Sequence, residues 1–400
     1  MIQVLRKTTL LIAVTLTIAA CTDKSDTSSS PSTASSSPQP VLTTSISKYS
    51  VTVPVTIAGK TYQFLLDTGS AYTIVDNQVA AAMTQRAPDH EIPARLHQSL
   101  AEGASTPGGT LHKDDVKFWR PLRIDIGDHA LRSATPWLGL DLSLLTRATG
   151  RRIDGILGTD VFRQLSWQVD NVKRTLTVLA DVPSTAGYQQ CVPYRDEYGQ
   201  PPEIQIGLKN ANWAPFRIDT GLTDSLAPLD LLDALHKNGS NIEQIGEASM
   251  ATANGTHHAS EYLVDGLSIS GMPVGRLRVL ESAGGLNNLG MGFLSRFDSY
   301  ALVPAEMVFC YNAKNFTRDD HQPLRYIPLI YVDGRIEIGD SSMGDVSGYG
   351  LKPGDVLLEV NGRKVLPADI EELREDVGIA PKGKLTILID RSGEKKTIEL

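Results

Sequence analysis

Short stretches of alternating apolar and polar residues dominate this chain, and long helical stripes are scarce. Val51-Thr-Val-Pro-Val-Thr-Ile57 alternates with the period of a strand, Gly59-Lys60 supplies a turn, and residues 61–66 return as a second strand. That hairpin ends on Asp67. Residues 71–75 continue extended and residues 78–83 fit a short helix. Residues 102–110, rich in Gly, Ser, Thr and Pro, read as a loop between strands. Residues 122–126 alternate again. Residues 156–162 place two apolar residues and a glycine ahead of a helix reaching Leu165, and residues 167–169 and 175–178 close a hairpin around Asp170-Asn171. The pattern predicts a mostly β protein.

Residues 183–189 hold little that packs and serve as a linker, after which the series repeats. Residues 203–207 answer 55–59, and 265–269 answer 122–126. Asn288-Leu289-Gly290 with Met291 to Leu294 answers Ile156-Leu157-Gly158 with Thr159 to Phe162. Residues 300–303 and 307–309 repeat the closing hairpin. Asp-Thr-Gly occurs once in each copy, at Asp67-Thr68-Gly69 and Asp219-Thr220-Gly221, each directly after an apolar run that begins at Phe. From the aspartate to the later glycine is 91 residues in the first copy and 71 in the second, so the copies differ in insertions but share element order. Two such turns, facing each other, would lift two carboxylates off the ends of their strands and bring them together.

These residues carry a resemblance. Two lobes with F-x-[LI]-D-T-G, each followed by an apolar segment ending in glycine, are similar to a retropepsin-like aspartic protease in duplicated, single-chain form, over about residues 46–315. The resemblance implies that Asp67 and Asp219 form a catalytic dyad that activates water to cleave peptide bonds, with no metal or cofactor. It also implies that Thr68 and Thr220 interlock beneath them, that Gly69 and Gly221 complete the turns, and that Ser70 adds a hydroxyl to the outer oxygen of Asp67. Ile156, Leu157 and Gly158 would brace the first loop, and Asn288, Leu289 and Gly290 the second. Three departures stand out: Leu222 replaces the second hydroxyl, Asn288 is polar where an apolar residue is usual, and the 102–110 loop has the glycines of a flap but no Tyr. The alternative from another class is a surface peptide-binding protein that no longer cleaves.

From about Leu324 the pattern changes. Gly350-Leu-Lys-Pro-Gly-Asp-Val-Leu-Leu-Glu-Val-Asn-Gly362 resembles the turn–strand–turn of a bacterial PDZ domain, with residues 369–377 as its helix and 385–389 and 395–400 as its last strands. That implies a small α+β module over 322–400 for peptide binding or regulation, with the C-terminus of a peptide as ligand. The usual carboxylate loop is not visible upstream, where residues 326–330 stand.

The N-terminus adds a location. Arg6 and Lys7 precede an apolar run from Thr8 to Ala20 that is short for a bilayer span. It ends in Ile18-Ala-Ala-Cys21, which resembles a bacterial lipoprotein signal with Cys21 as the acylated residue. With Thr22 next, this points to the outer membrane, facing the periplasm or the cell surface, with residues 21–45 as a Ser/Thr-rich tether. An exported compartment permits a bond between the two remaining cysteines, Cys191 and Cys310, which sit near the first and last strands of a second lobe expected over 190–315; the first spans 46–182.

Charge alters little. The formal net charge of −8 argues against nucleic acid as a partner, leaving a peptide or protein substrate and a membrane anchor. His257-His258 has no metal-ligand spacing and reads as exposed loop, Ser70 has no nucleophile-elbow context, and Ser341-Ser342 reads as polar loop.

Overall fold

The computed structural model describes residues 41–42, 45–196, 199–316, 319–340 and 345–400. Cys21, most of the tether and Ser341-Ser342 lie outside the described residues. The protein is mostly β, with 41% strand and 18% helix.

Val51–Ile57 and Lys60–Leu66 pair antiparallel across Ala58 and Gly59, whose φ values of 48° and 79° give the twist that a two-residue hairpin turn needs. Their alternate residues Val51, Val53, Val55, Phe64 and Leu66 are buried. Each such side chain contributes about 1.5–3 kcal/mol by leaving water. Outward from this hairpin the sheet continues to Ile124–Ile126 on one side. On the other it runs through Gly155–Leu157, Ile74–Asp76 and Trp137–Leu140. The contacts of Gly155–Leu157 are parallel to Lys60–Leu66 and antiparallel to Ile74–Asp76, which in turn runs parallel to Trp137–Leu140.

The second sheet repeats that order and those directions. Leu267–Ile269, Glu203–Leu208 and Trp213–Ile218 are followed by Asn288–Leu289, Ser225–Ala227 and Leu277–Glu281. Asn288–Leu289 is parallel to Trp213–Ile218 and antiparallel to Ser225–Ala227, as Gly155–Leu157 is to its own neighbours. The second sheet ends in a long hairpin, Ile242–Thr252 with Gly255–Val264.

A third, six-stranded antiparallel sheet joins the two lobes, with Ser166–Asp170 of the first pairing Ser299–Val303 of the second. At its edge Cys191 and Cys310 are directly opposite and disulfide-bonded, with a Cα–Cα distance of 4.0 Å. One apolar core runs through both lobes, from Val53, Phe64 and Trp167 to Phe216, Phe293, Phe297 and Tyr300.

Residues 329–399 form a separate sheet with its own core and a covering helix, Ile370–Ile379. This module is docked on the first lobe and on residues 47–50, which lead into it. The guanidinium of Arg374 donates to the carbonyls of Ala148 and Leu329 at 2.7 and 2.6 Å. Arg151 donates to the Ala368 carbonyl, and the Ser47 and Ser50 hydroxyls donate to Glu371.

Two expectations about the elements of the first lobe need correction. Residues 102–110 are not simply loop: helix Ala94–Glu102 runs into a small hairpin, Ala104–Thr106 with Gly109–Leu111, because Leu96 and Leu100 bury one helix face. Residues 71–75 are extended only from Ile74, the chain turning first at 71–72.

Candidate active site

Both Asp-Thr-Gly turns leave their strands at the same place and meet. The amide of Asp67 donates to Leu157 O at 3.1 Å, and that of Asp219 to Leu289 O at 3.0 Å, so each loop is pinned by its neighbouring strand. The next pin is equally symmetric: Thr159 N donates to Ser70 O at 2.8 Å, and Met291 N to Leu222 O at 2.7 Å. These strands must end in glycine. A Cβ on Gly158 would lie 2.4 Å from the Tyr72 carbonyl carbon, and one on Gly290 2.4 Å from the Asp224 carbonyl oxygen. Ile156 and Leu157 are buried beside them.

The threonines tie the loops to each other. Thr68 Oγ1 donates to Ile218 O at 2.5 Å and accepts from Thr220 N at 3.1 Å. In return, Thr220 Oγ1 donates to Leu66 O at 2.7 Å and accepts from Thr68 N at 3.2 Å. Both side chains are buried, so these bonds satisfy backbone groups that water does not reach.

Above this lock the carboxylates face one another. A Cβ on Gly69 would stand 2.1 Å from Asp219 Oδ2, and one on Gly221 2.4 Å from Asp67 Cγ. Only glycine lets each aspartate pass over the opposite turn. Asp67 Oδ1 accepts from the amides of Gly69 and Ser70 at 2.8 and 3.0 Å, and Asp219 Oδ1 from the amide of Gly221 at 3.0 Å. The Ser70 hydroxyl does not reach the dyad: it is taken up within its own turn, donating to Tyr72 O at 2.8 Å.

Burial pushes the Asp67 carboxyl well above the usual range, and the Asp219 charge adds to this. Burial raises Asp219 as well, opposed by hydrogen bonds from Asn288 and Gly221, by Asp67 and by the charge of Arg217. Two carboxylates this close hold one proton between them over a wide pH range, a behaviour for which aspartic proteases are the standing example. Such a pair can take a proton from water and give one to a carbonyl.

Residues 53–161 match the family model for aspartyl protease. The match takes in Asp67, its turn and its brace, and ends before the second lobe. It places this segment with a family of hydrolases that cut peptide bonds. No curated protein matches the chain.

Two contacts of the site were not legible from the sequence. The hairpin at 104–111 meets the tip of the long second-lobe hairpin, where Asn254 Nδ2 donates to Thr106 Oγ1 at 3.1 Å. His257, expected as exposed loop, lies instead on the Gly255–Val264 strand with its Nε2 buried. A Cβ on Gly108 would stand 2.1 Å from that ring, so the two tips are in close contact. His258 remains exposed and pairs with Ser249. The second contact is that of Asn288, whose Nδ2 donates to Asp219 Oδ2 at 2.5 Å. Its polarity in an apolar brace was the available signal.

Proposed function

We infer that the chain is an aspartic endopeptidase in which Asp67 and Asp219, one from each lobe, form one active site. The observation that carries this reading is the reciprocal Thr68–Thr220 lock, above which the carboxyl of each aspartate lies directly against the glycine of the opposite turn. One carboxylate takes a proton from a bound water as the water oxygen attacks the scissile carbonyl carbon. The other gives its proton to the carbonyl oxygen. Collapse of the tetrahedral intermediate breaks the C–N bond, and a proton passes to the leaving amine.

A cavity of about 920 Å³ opens beside Gly221 and Leu222 and extends past Tyr49, Arg278 and Tyr326 to Arg374 on helix Ile370–Ile379. We read it as the path of one half of an extended substrate, with the PDZ-like C-terminal module closing its far end. Between the strand Leu329–Val332 and helix Ile370–Ile379, which would flank a captured peptide, Arg374 already donates to the Leu329 and Ala148 carbonyls. That favours a role in shaping or regulating the cleft. Lipid attachment at Cys21 and an outer-membrane location complete the proposal; labelled palmitate entering the wild type but not Cys21→Ser tests that part.

The activity is tested with the soluble chain from about residue 45 and a diverse peptide library, from acid to neutral pH. Cleavage lost in both Asp67→Asn and Asp219→Asn is the expected result. Cleavage surviving either substitution overturns the shared site, and a folded wild type that cuts nothing indicates a peptide-binding protein instead.

A further inference from the structure

The four carboxylate oxygens of the dyad are not treated alike. Asp67 Oδ1 has two amide donors, Asp219 Oδ1 has one, and Asp219 Oδ2 has Asn288 Nδ2. Among the described residues, Asp67 Oδ2 has no donor outside the pair. A hydrogen bond donated to a carboxylate oxygen favours its ionised form. The one oxygen without a donor, set against a second carboxylate, is where a proton relieves the repulsion.

Each carboxyl accepts from two outside donors, and Asn288 is the one that covers the Asp219 oxygen corresponding to the bare Asp67 Oδ2. This residue occupies the second-lobe position that Ile156 holds in the first: Asn288 lies between Arg217 and Leu226 in its sheet, as Ile156 lies between Leu65 and Ile74. Both are buried, Asn288 at 1% exposure. A buried amide is an unfavourable choice there, and its Oδ1 has no partner among the described residues. An isoleucine like its counterpart would carry no such penalty. What the amide adds is the bond to Asp219.

We propose that Asn288 is a positioning residue that sets the direction of proton transfer, keeping Asp219 as the carboxylate that takes the proton of water and Asp67 as the acid that protonates the scissile carbonyl oxygen. The proposal rests on the dyad reading and assigns its two roles. Proton balance is preserved, one proton entering the pair at Asp219 as one leaves from Asp67. Of the groups packed around Asn288 only Arg217 is charged, and its charge favours ionised Asp219 in the same direction as the amide. Leu289 and Leu226 are apolar, Ser225 is neutral, and Arg217 is ion-paired to Glu203 at 3.3 Å.

The test is Asn288→Ile, which gives the second lobe the residue of the first. Loss of the donor makes Asp219 easier to protonate in the singly protonated pair, so the acid limb of kcat/KM moves up by about one to two pH units. Asp219 is ionised on both sides of the alkaline limb, which therefore stays in place. An alkaline limb that falls while the acid limb holds would mean the amide carbonyl faces Asp219 and fixes the proton there, and would overturn the proposal. So would a profile that does not move.

A second measurement needs neither turnover nor a variant at 288. Carbon-13 NMR follows the aspartate γ-carboxyls of the wild-type protein, with Asp67→Asn and Asp219→Asn serving for assignment. The Asp219 resonance is expected to stay at the carboxylate position through the interval in which Asp67 titrates. The reverse order, or parallel titration of both, refutes the assignment. Because this arm reads protons alone, a chain that cleaves nothing fails the function without deciding this question.

Discussion

Replacing Thr68 with valine tests the lock that holds the dyad, with little change of volume. The hydroxyl it removes donates to Ile218 O at 2.5 Å and accepts from Thr220 N at 3.1 Å, within a side chain that is 0% exposed. Two buried backbone groups then lose this partner, at about 1–3 kcal/mol each, or about 2–6 kcal/mol together. Against a typical domain stability of about 5–15 kcal/mol that is a large loss. The assay is urea unfolding followed by tryptophan fluorescence, with the disulfide intact. Thr68→Ser keeps the hydroxyl and loses only a methyl, so its cost is about 1 kcal/mol. Thr220→Val should resemble Thr68→Val, and the double variant should cost less than the two together, since each threonine holds the other's loop. In peptide cleavage, a shift of the two turns by about 1 Å lowers kcat/KM by about 100-fold. A Thr68→Val protein within about 0.5 kcal/mol of wild type would refute the reasoning.

Steric crowding at the turns predicts that Gly69→Ala and Gly221→Ala fold but lose about 100-fold or more in kcat/KM, since each new methyl would enter the opposite carboxylate; near-normal kinetics would contradict the close approach. Both dyad carboxyls are raised above their unfolded values, so their contribution is fully present below the ordinary carboxylate range near pH 4 and is lost as pH rises through the raised values. Thermal melts should therefore show Asp67→Asn gaining on the wild type between about pH 3 and 7, and a difference that stays flat or runs the other way would contradict the burial argument. The Cys191–Cys310 bond closes a separation of 119 residues, and replacing both cysteines should cost about 2–5 kcal/mol in the same unfolding assay.

The duplicated lobes were legible because their signal is local. A strand of period two, a glycine turn and an apolar pair before glycine each declare themselves within a few residues, at 60–69 and again at 213–221. The long hairpin at 242–264 was not, because its outer strand is mostly half-buried and its sequence lacks a clean apolar alternation. An Asn-Gly pair such as Asn254-Gly255 marks a turn, but nothing in it says that the tip reaches Thr106 of the other lobe. The same limit applies at the dyad. Asn288 could be seen to depart from its counterpart Ile156, yet only the sheet register shows that its side chain meets Asp219. Ser70 was the converse case: its hydroxyl suits the dyad chemically, and the turn directs it to Tyr72 instead.

The central claim is one site made by two lobes, and its stoichiometry can be measured directly. Isothermal titration of the intact soluble protein with a peptide bearing a tetrahedral hydroxyl in place of the scissile carbonyl reports the number and ownership of sites at once. The account predicts one molecule bound per chain, with binding weakened at least tenfold by Asp67→Asn and by Asp219→Asn alike. Two molecules per chain, or binding that depends on one aspartate alone, would contradict it.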